Sequence, residues 1–251
     1  MIFTSLYGAM WYYYALDFIT LLILIPAIIL AIWAQARVSS TFKKYSRIQS
    51  SHGLTGAEVA RKILSQAGIK GVQVVPIKGN LTDNYNPKTG VLSLSESVFS
   101  HSTVAAIGVA AHEAGHAIQY HQGYLPIKLR SILVPITNIG SRLALPIALI
   151  GVIIEWIGAE AGMFGTALIA IGILAYALSS IFSLVTLPVE LNASSRAKKL
   201  LFSTGILTEA ETRQAGKVLN AAALTYVASL AVSIAYLIRF ILIISRFRRR
   251  D

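Results

Sequence analysis

Five residues, His112-Glu113-Ala114-Gly115-His116, carry the chemistry of this chain. They form an H-E-x-x-H inside the apolar run Thr103 to Tyr120, which reads as one helix. Residues four apart share a helix face, so His112 and His116 point two imidazoles in one direction, at a spacing that grips one metal ion. Glu113 stands beside them, within reach of a water on that ion. Two neutral imidazoles as ligands and one carboxylate as general base make the arrangement of a zinc hydrolase. Two His and a Glu among Ala, Ile, Val and Gly would be costly to bury without partners, and a bound cation supplies one.

The rest of the composition sets the surroundings. The chain has 251 residues, 55% of them hydrophobic and only 13% charged. A soluble domain carries nearly twice that share of charge, so this is a membrane protein. There is no Cys, hence no disulfide framework and no thiolate metal site. The net charge of +11 speaks to membrane topology rather than to nucleic acid, because the basic residues are not interleaved with aromatics. Met1 to Trp11 has no basic region and does not read as a cleavable signal.

Four apolar segments each have the roughly twenty residues needed to cross a bilayer. They run from about Trp11 to Trp33 (broken by Pro26), Leu133 to Ile157, Met163 to Leu187, and Leu219 to Ile244. Trp11, Tyr12, Tyr13, Tyr14 and Trp33 fit an interfacial aromatic belt. The expected fold is therefore mostly α: about four transmembrane helices with a small α+β zincin-like catalytic domain. The division along the chain is 1–34 as an N-terminal transmembrane helix, 35–130 as the catalytic insert, and 131–187 as a transmembrane hairpin. Residues 188–218 form a glutamate-bearing helix and connector, and 219–251 a last transmembrane helix with a basic tail.

The insert has the grammar of a soluble domain. Thr55-Gly56-Ala57-Glu58 is a capping box opening a helix to about Ala67, closed by Gly68. Val72 to Pro76 reads as a short strand, Asn80 to Gly90 as turn-rich, and Val91 to Ser95 as a half-exposed strand. Glu96 to Phe99 begins a short helix before the motif helix. The Val91–Ser95 strand, taken as an edge, is expected to pair with an extended peptide.

Clusters of Lys and Arg after the first segment, around the start of the second and after the third put the insert and residues 188–217 on the cytoplasmic side. The tail of Arg246, Arg248, Arg249 and Arg250 contradicts that rule if the last segment spans.

A catalytic zinc site needs a third protein ligand. Gln119 and Gln122 stand where a metzincin would have Gly and His, and His121 is one residue off that position, which reads as a surface His. Of the eleven acidic residues, Glu58, Glu209 and Glu211 read as capping or solvated, and Asp17, Glu155, Glu160 and Asp251 fall in or beyond the membrane or at the end. Asp83, Glu96 and Glu190 remain. Glu190 is the best choice, since a hairpin of segments two and three would return it to the level of the motif helix.

These residues resemble a known family. His112-Glu-Ala-Gly-His116, two membrane segments and then Glu190-Leu-Asn-Ala-Ser194 are similar to bacterial zinc membrane neutral metallopeptidases of the YugP type, which are gluzincins. The chain is more distantly like the CAAX prenyl protease and heat-shock membrane protease group. The resemblance also takes in Leu81 to Pro87 and Val91 to Val98. It implies zinc held by His112, His116 and Glu190, with Glu113 as base. It further implies a membrane-integral peptidase, acting on peptide or protein substrates, in a bacterial plasma membrane. The chain departs from the pattern at Asn84 and Asn86, where a His and an acid are expected, and at Ser194, where the prenyl-protease group has Asp. A second-shell carboxylate is thus not supplied from position 194. A helper for the oxyanion could be Tyr85 or a nearby His. The competing readings are a non-catalytic membrane scaffold with a structural metal, disfavoured by the lack of Cys and of a fourth ligand, and a transporter, disfavoured by the near absence of ionisable residues inside the segments.

Overall fold

In the computed structural model the backbone is described for residues 2–157 and 162–248, and the side chains for 18, 21–155 and 163–245. Expectations resting on Trp11 to Tyr14, Asp17, Glu160, Asp251 and the four tail arginines fall outside the described side chains.

The described chain is mostly helical. Four long helices carry the apolar segments: α1 (Ile2–Tyr45), α5 (Leu125–Ile157), α6 (Gly162–Ser203) and α7 (Glu209–Arg248). Between α1 and α5 lie α2 (Gly56–Gln66), β1 (Gln73–Ile77), β2 (Asn84–Asn86), β3 (Val91–Ser95), α3 (Glu96–Phe99) and α4 (Val104–His121). All four long helices are long and apolar enough to cross a membrane. At about 1.5 Å per residue, the 44 residues of α1 are about twice the length that ~30 Å of hydrocarbon requires. The surplus is what lets these helices contribute to two compact units.

One unit comprises Met1–Ile32, Ile132–Leu184 and Ala228–Asp251. Within it α5 and α6 run antiparallel and pack through small residues. A Cβ on Gly172 would meet the Ala144 carbonyl at 2.7 Å, one on Gly140 the Ala175 carbonyl at 3.2 Å, and one on Gly151 the Gly165 carbonyl at 2.7 Å. Such contacts suit helices in lipid, where no hydrophobic drive pulls apolar side chains together and close backbone packing takes its place. Ile132, Ile136, Ile139, Phe164, Leu174 and Ile181 are exposed on these apolar helices.

The other unit comprises Trp33–Ser131 and Val185–Val227. Its core joins Val59 and Ile63 of α2, Leu92 and Leu94 of β3, Ile107 and Ala111 of α4, Leu201 of α6 and Leu219 of α7. The capping box is present: Thr55 accepts from the Glu58 amide, and the Glu58 carboxylate accepts from the Thr55 amide. Thr103 caps α4 by accepting from the Ala106 amide. Glu211 caps α7, accepting from the Thr208 amide at 2.8 Å, and also takes the Ser51 amide and hydroxyl at 2.7 Å each.

Three expectations are corrected. Pro26 does not break the first segment, because it sits inside α1. No new helix begins at Pro188, because α6 runs through it to Ser203. In both places proline removes one N–H and frees the carbonyl four residues back, a loss that long membrane helices tolerate. Third, Val91–Ser95 is not an edge. The sheet order is β1-β3-β2, with β1 parallel and β2 antiparallel to β3. The turn-rich segment itself makes the covering strand. Asn86 Oδ1 accepts from the Lys88 and Thr89 amides, and Gly90 takes a φ of 67°, which folds Asn84–Asn86 back along β3.

Replacing Gly151 by Ala forces a Cβ against backbone atoms that cannot step aside. Unfolding of the detergent-solubilised chain, followed by denaturant titration, is expected to lose about 1–3 kcal/mol, the usual cost of overpacking.

Candidate metal centre

The centre is built where α4 crosses the part of α6 beyond Val185. Gly115 makes that crossing possible, since a Cβ there would stand 3.0 Å from the Ala193 carbonyl. The approach carries Glu190 and Ser194, one turn apart on α6, to the His face of α4. Glu190 Oε2 lies 3.1 Å from His112 Nε2 and 3.4 Å from His116 Nε2. The donor atoms of His112, Glu113 and His116 are all within 4.8 Å of one another. The structure thus gathers all four predicted residues. It leaves the other candidates elsewhere. Glu96 is exposed at the start of α3, and His121 is exposed at the end of α4. Asp83 reaches the same cleft but is committed to β3, accepting from the Ser95 amide at 2.7 Å and from its hydroxyl.

Each imidazole is oriented through its far nitrogen. His116 Nδ1 is 3.0 Å from Gln119 Oε1. Gln119 is fully buried, and its Nε2 donates to the Val189 carbonyl and to Asn192 Oδ1, both at 2.9 Å. The Gln119 oxygen is therefore the acceptor facing His116, so neutral His116 carries its proton on Nδ1 and presents a lone pair at Nε2. Arg196 Nε donates to Asn192 Oδ1 at 2.7 Å and steadies the chain of contacts. His112 Nδ1 lies 3.1 Å from Ser194 Oγ. The hydroxyl at position 194 thus occupies the place for which the sequence offered no carboxylate.

The two carboxylates differ in surroundings. Glu190 is 1% exposed, and its second oxygen, Oε1, meets Arg130 Nη1 at 2.9 Å. Glu113 is buried and makes no hydrogen bond among the described side chains; burial raises its pKa above the usual carboxylate range, with the two imidazoles opposing. For His116 burial disfavours charge, but the hydrogen bond with Glu190 and the nearby Glu113 outweigh it and raise its pKa. Asp83 is raised mainly by burial, against its bonds to Ser95.

A cleft of about 260 Å³ opens onto His112 and Glu113. Its walls include Phe42 of α1, Leu81 and Asp83 ahead of β2, and Leu219 and Tyr226 of α7. Tyr85 is not part of that lining; its ring packs on Tyr120 at 5.8 Å between centroids.

Four groups here escape a reading of the sequence: Gln119, Arg130, Ser194 as the partner of His112, and Tyr226. Gln119, three residues after His116, shares its helix face, and Ser194, four after Glu190, shares that one, so spacing alone would have found both. Tyr226 stands out as a polar ring within an apolar run. Nothing local marks Arg130.

The donors suit a metal ion. Two N atoms and one O atom, from half-buried His112 and buried His116 and Glu190, converge on one point, with both rings oriented from behind and no thiolate in the chain. Fold and site together define a helical chain with four helices able to span a membrane and a buried His/carboxylate cluster able to hold a metal. The family described as "Putative neutral zinc metallopeptidase" matches residues 20–245, and the chain belongs to it. It is also 44% identical over 219 residues to the protein named "Putative membrane protease YugP" of Bacillus subtilis (strain 168), covering 87% of this chain and 93% of that one. No solved structure matches.

Gln119→Leu keeps the volume but removes the acceptor behind His116. Zinc affinity, measured by competition with a chromophoric chelator, is expected to fall by roughly 10–100-fold, the usual effect of losing such an outer partner.

Proposed function

We propose that the chain is an integral-membrane zinc-dependent metalloendopeptidase, its metal held by His112, His116 and Glu190 and its general base supplied by Glu113. The observation that supports this reading is the meeting of Glu190 Oε2 with both imidazole Nε2 atoms at the wall of an open cleft. Held there, zinc would supply Lewis acidity, polarising a carbonyl and making a water acidic enough to give up its proton near neutral pH.

The protein's own groups do the rest. Glu113 lies in the cleft wall without a hydrogen-bonding partner among the described side chains, free to take the proton of the attacking water. Its burial raises its proton affinity, which suits a base that must afterwards hand the proton to the leaving amine. Arg130 occupies the second oxygen of Glu190 and so keeps that carboxylate in one pose. Tyr226, in the same wall, is the group we assign to the carbonyl oxygen as it gains charge. Because β3 is internal, the free edge we assign to an extended peptide is that of β2, which has β3 as its one partner among the described residues. The unit is a zincin-like domain in this reading. The metal is catalytic rather than structural, since Glu113 stands free beside it and the cleft is open.

We place the chain in a bacterial plasma membrane with the Trp33–Ser131 segment in the cytoplasm, on the distribution of Lys and Arg. The absence of Cys makes this simple to test. A single Lys88→Cys variant is expected to react with an impermeant maleimide only after the membrane is opened; labelling in intact cells would reverse the orientation.

For the chemistry, Glu113→Gln is expected to retain stoichiometric zinc and lose about 10²–10⁴-fold in cleavage of an unfolded casein substrate. Glu190→Gln is expected to lose both metal and cleavage. Removing zinc with a chelator is expected to abolish cleavage in the wild type, and adding it back to restore it. Near-wild-type turnover by Glu113→Gln would end the mechanism.

A further inference from the structure

Away from the metal cleft, α1 and α7 line a second groove of about 600 Å³. From α1 it is lined by Arg37, Ser40, Thr41 and Lys44, and from α7 by Lys217 and Asn220. On each helix these positions fall three and four apart, so each set is one helix face. Three cations, the hydroxyl-bearing Ser40, Thr41 and Tyr45 and one amide share this groove with Ala221 and Leu224. Among the described residues, none of the three cations is in an ion pair. Like charges gathered at one groove without a counter-ion repel one another, and an anion would relieve that repulsion.

The sequence says where along the helices this groove falls. Residues 18–36 carry no charge, and Arg37 is the first one after them. Residues 218–238 carry none either, and Lys217 is the last one before them. Both helices thus bring a cation to the end of an apolar run long enough to cross a bilayer. Trp33, 48% exposed, sits one turn before Arg37, whose guanidinium lies 5.7 Å from the centre of its ring. An exposed Trp beside a cation at that point is the pattern of a headgroup boundary.

We infer that the α1–α7 groove binds the phosphodiester of an anionic phospholipid, with Arg37, Lys44 and Lys217 as its charged contacts and Ser40, Thr41 and Asn220 as hydrogen-bonding groups. Phosphate fits this set because it offers several acceptor oxygens and a full negative charge to three cations without an ion pair among the described residues, while the Ser40 hydroxyl, which donates to the Arg37 carbonyl at 3.1 Å, would have to turn to reach it. A lipid supplies it where a free anion would not, because the groove opens where two apolar runs end. This inference does not rest on the peptidase reading.

The test uses the full chain in neutral detergent, with dioleoyl phosphatidylglycerol or phosphatidylcholine added to the micelles, bound lipid counted by native mass spectrometry and stability followed by thermal unfolding. Phosphatidylglycerol, and not phosphatidylcholine, is expected to bind and to raise the unfolding temperature. A triple Arg37→Gln, Lys44→Gln, Lys217→Gln variant is expected to bind it roughly a hundredfold more weakly, at about one factor of five per cation. Its three positions are exposed, and Arg37→Gln alone serves should the triple fail to fold. The control Lys62→Gln, Lys70→Gln, Lys88→Gln removes the same charge from exposed sites elsewhere and is expected to bind normally. Equal loss in both triples would reduce the effect to net charge and overturn the site. Inorganic phosphate at millimolar concentration displacing the lipid completely would show a free-anion site and overturn the lipid assignment. Equal binding of phosphatidylcholine would do the same.

Discussion

The site depends on one missing methyl group. α4 and α6 approach until a Cβ on Gly115 would stand 3.0 Å from the Ala193 carbonyl. At that spacing residues on either side of Ala193 reach α4 without stretching. Glu190, three residues earlier, meets both imidazoles; Ser194, the next residue, meets the far side of His112. One turn along α4, Gln119 reaches the Val189 carbonyl and Asn192 and turns its oxygen to His116. A larger residue at 115 would push the two helices apart, and every one of these contacts would lengthen at once. The glycine inside H-E-x-x-H is thus as much a part of the geometry as the histidines.

Electrostatics then separates two carboxylates that the sequence presents alike. Burying either ion alone would cost several kcal/mol. Glu190 is compensated on both oxygens, by Arg130 on one and by the imidazoles on the other. Glu113 has neighbours but no hydrogen bond among the described side chains, and burial raises its pKa. A pinned, fully paired carboxylate suits a donor that must not move. An unpaired one with raised proton affinity suits a group that must accept and release a proton. Environment, not residue type, makes the difference.

How much of this was legible follows from the range of each signal. The motif helix, the Thr55–Glu58 box and the apolar segments depend on residues within a turn or two, and all stand in the sequence. The small number of acids reduces the candidates to Asp83, Glu96 and Glu190, and the hairpin of the second and third apolar segments favours Glu190. What escaped was non-local or cut against a local rule. Arg130 meets Glu190 across 60 positions, and no spacing announces it. Pro26 and Pro188 look like breaks, but in long apolar helices they are absorbed. Asn84–Asn86 looks like pure turn, because its identity as a strand comes only from β3 beside it. That short strand decides which edge of the sheet is free, so a three-residue misreading moved the expected place of a peptide.

The two grooves share walls, and the helical period sorts them. On α1, residues 37, 40, 41 and 44 face the cationic groove, while 35, 38 and 42 face the metal cleft. On α7, residues 217, 220, 221 and 224 face the first, and 218, 219, 222, 225 and 226 the second. A period of 3.6 puts these sets on separate sides of each helix, so the same pair of helices forms both spaces. Whatever holds α1 and α7 at a given separation on the cationic side also sets the width between Phe42 and Leu219 on the other. An anion held between Arg37, Lys44 and Lys217 would cancel the repulsion between those faces. The cleft at Glu113 would then have its width set from a surface that touches neither the metal donors nor the peptide.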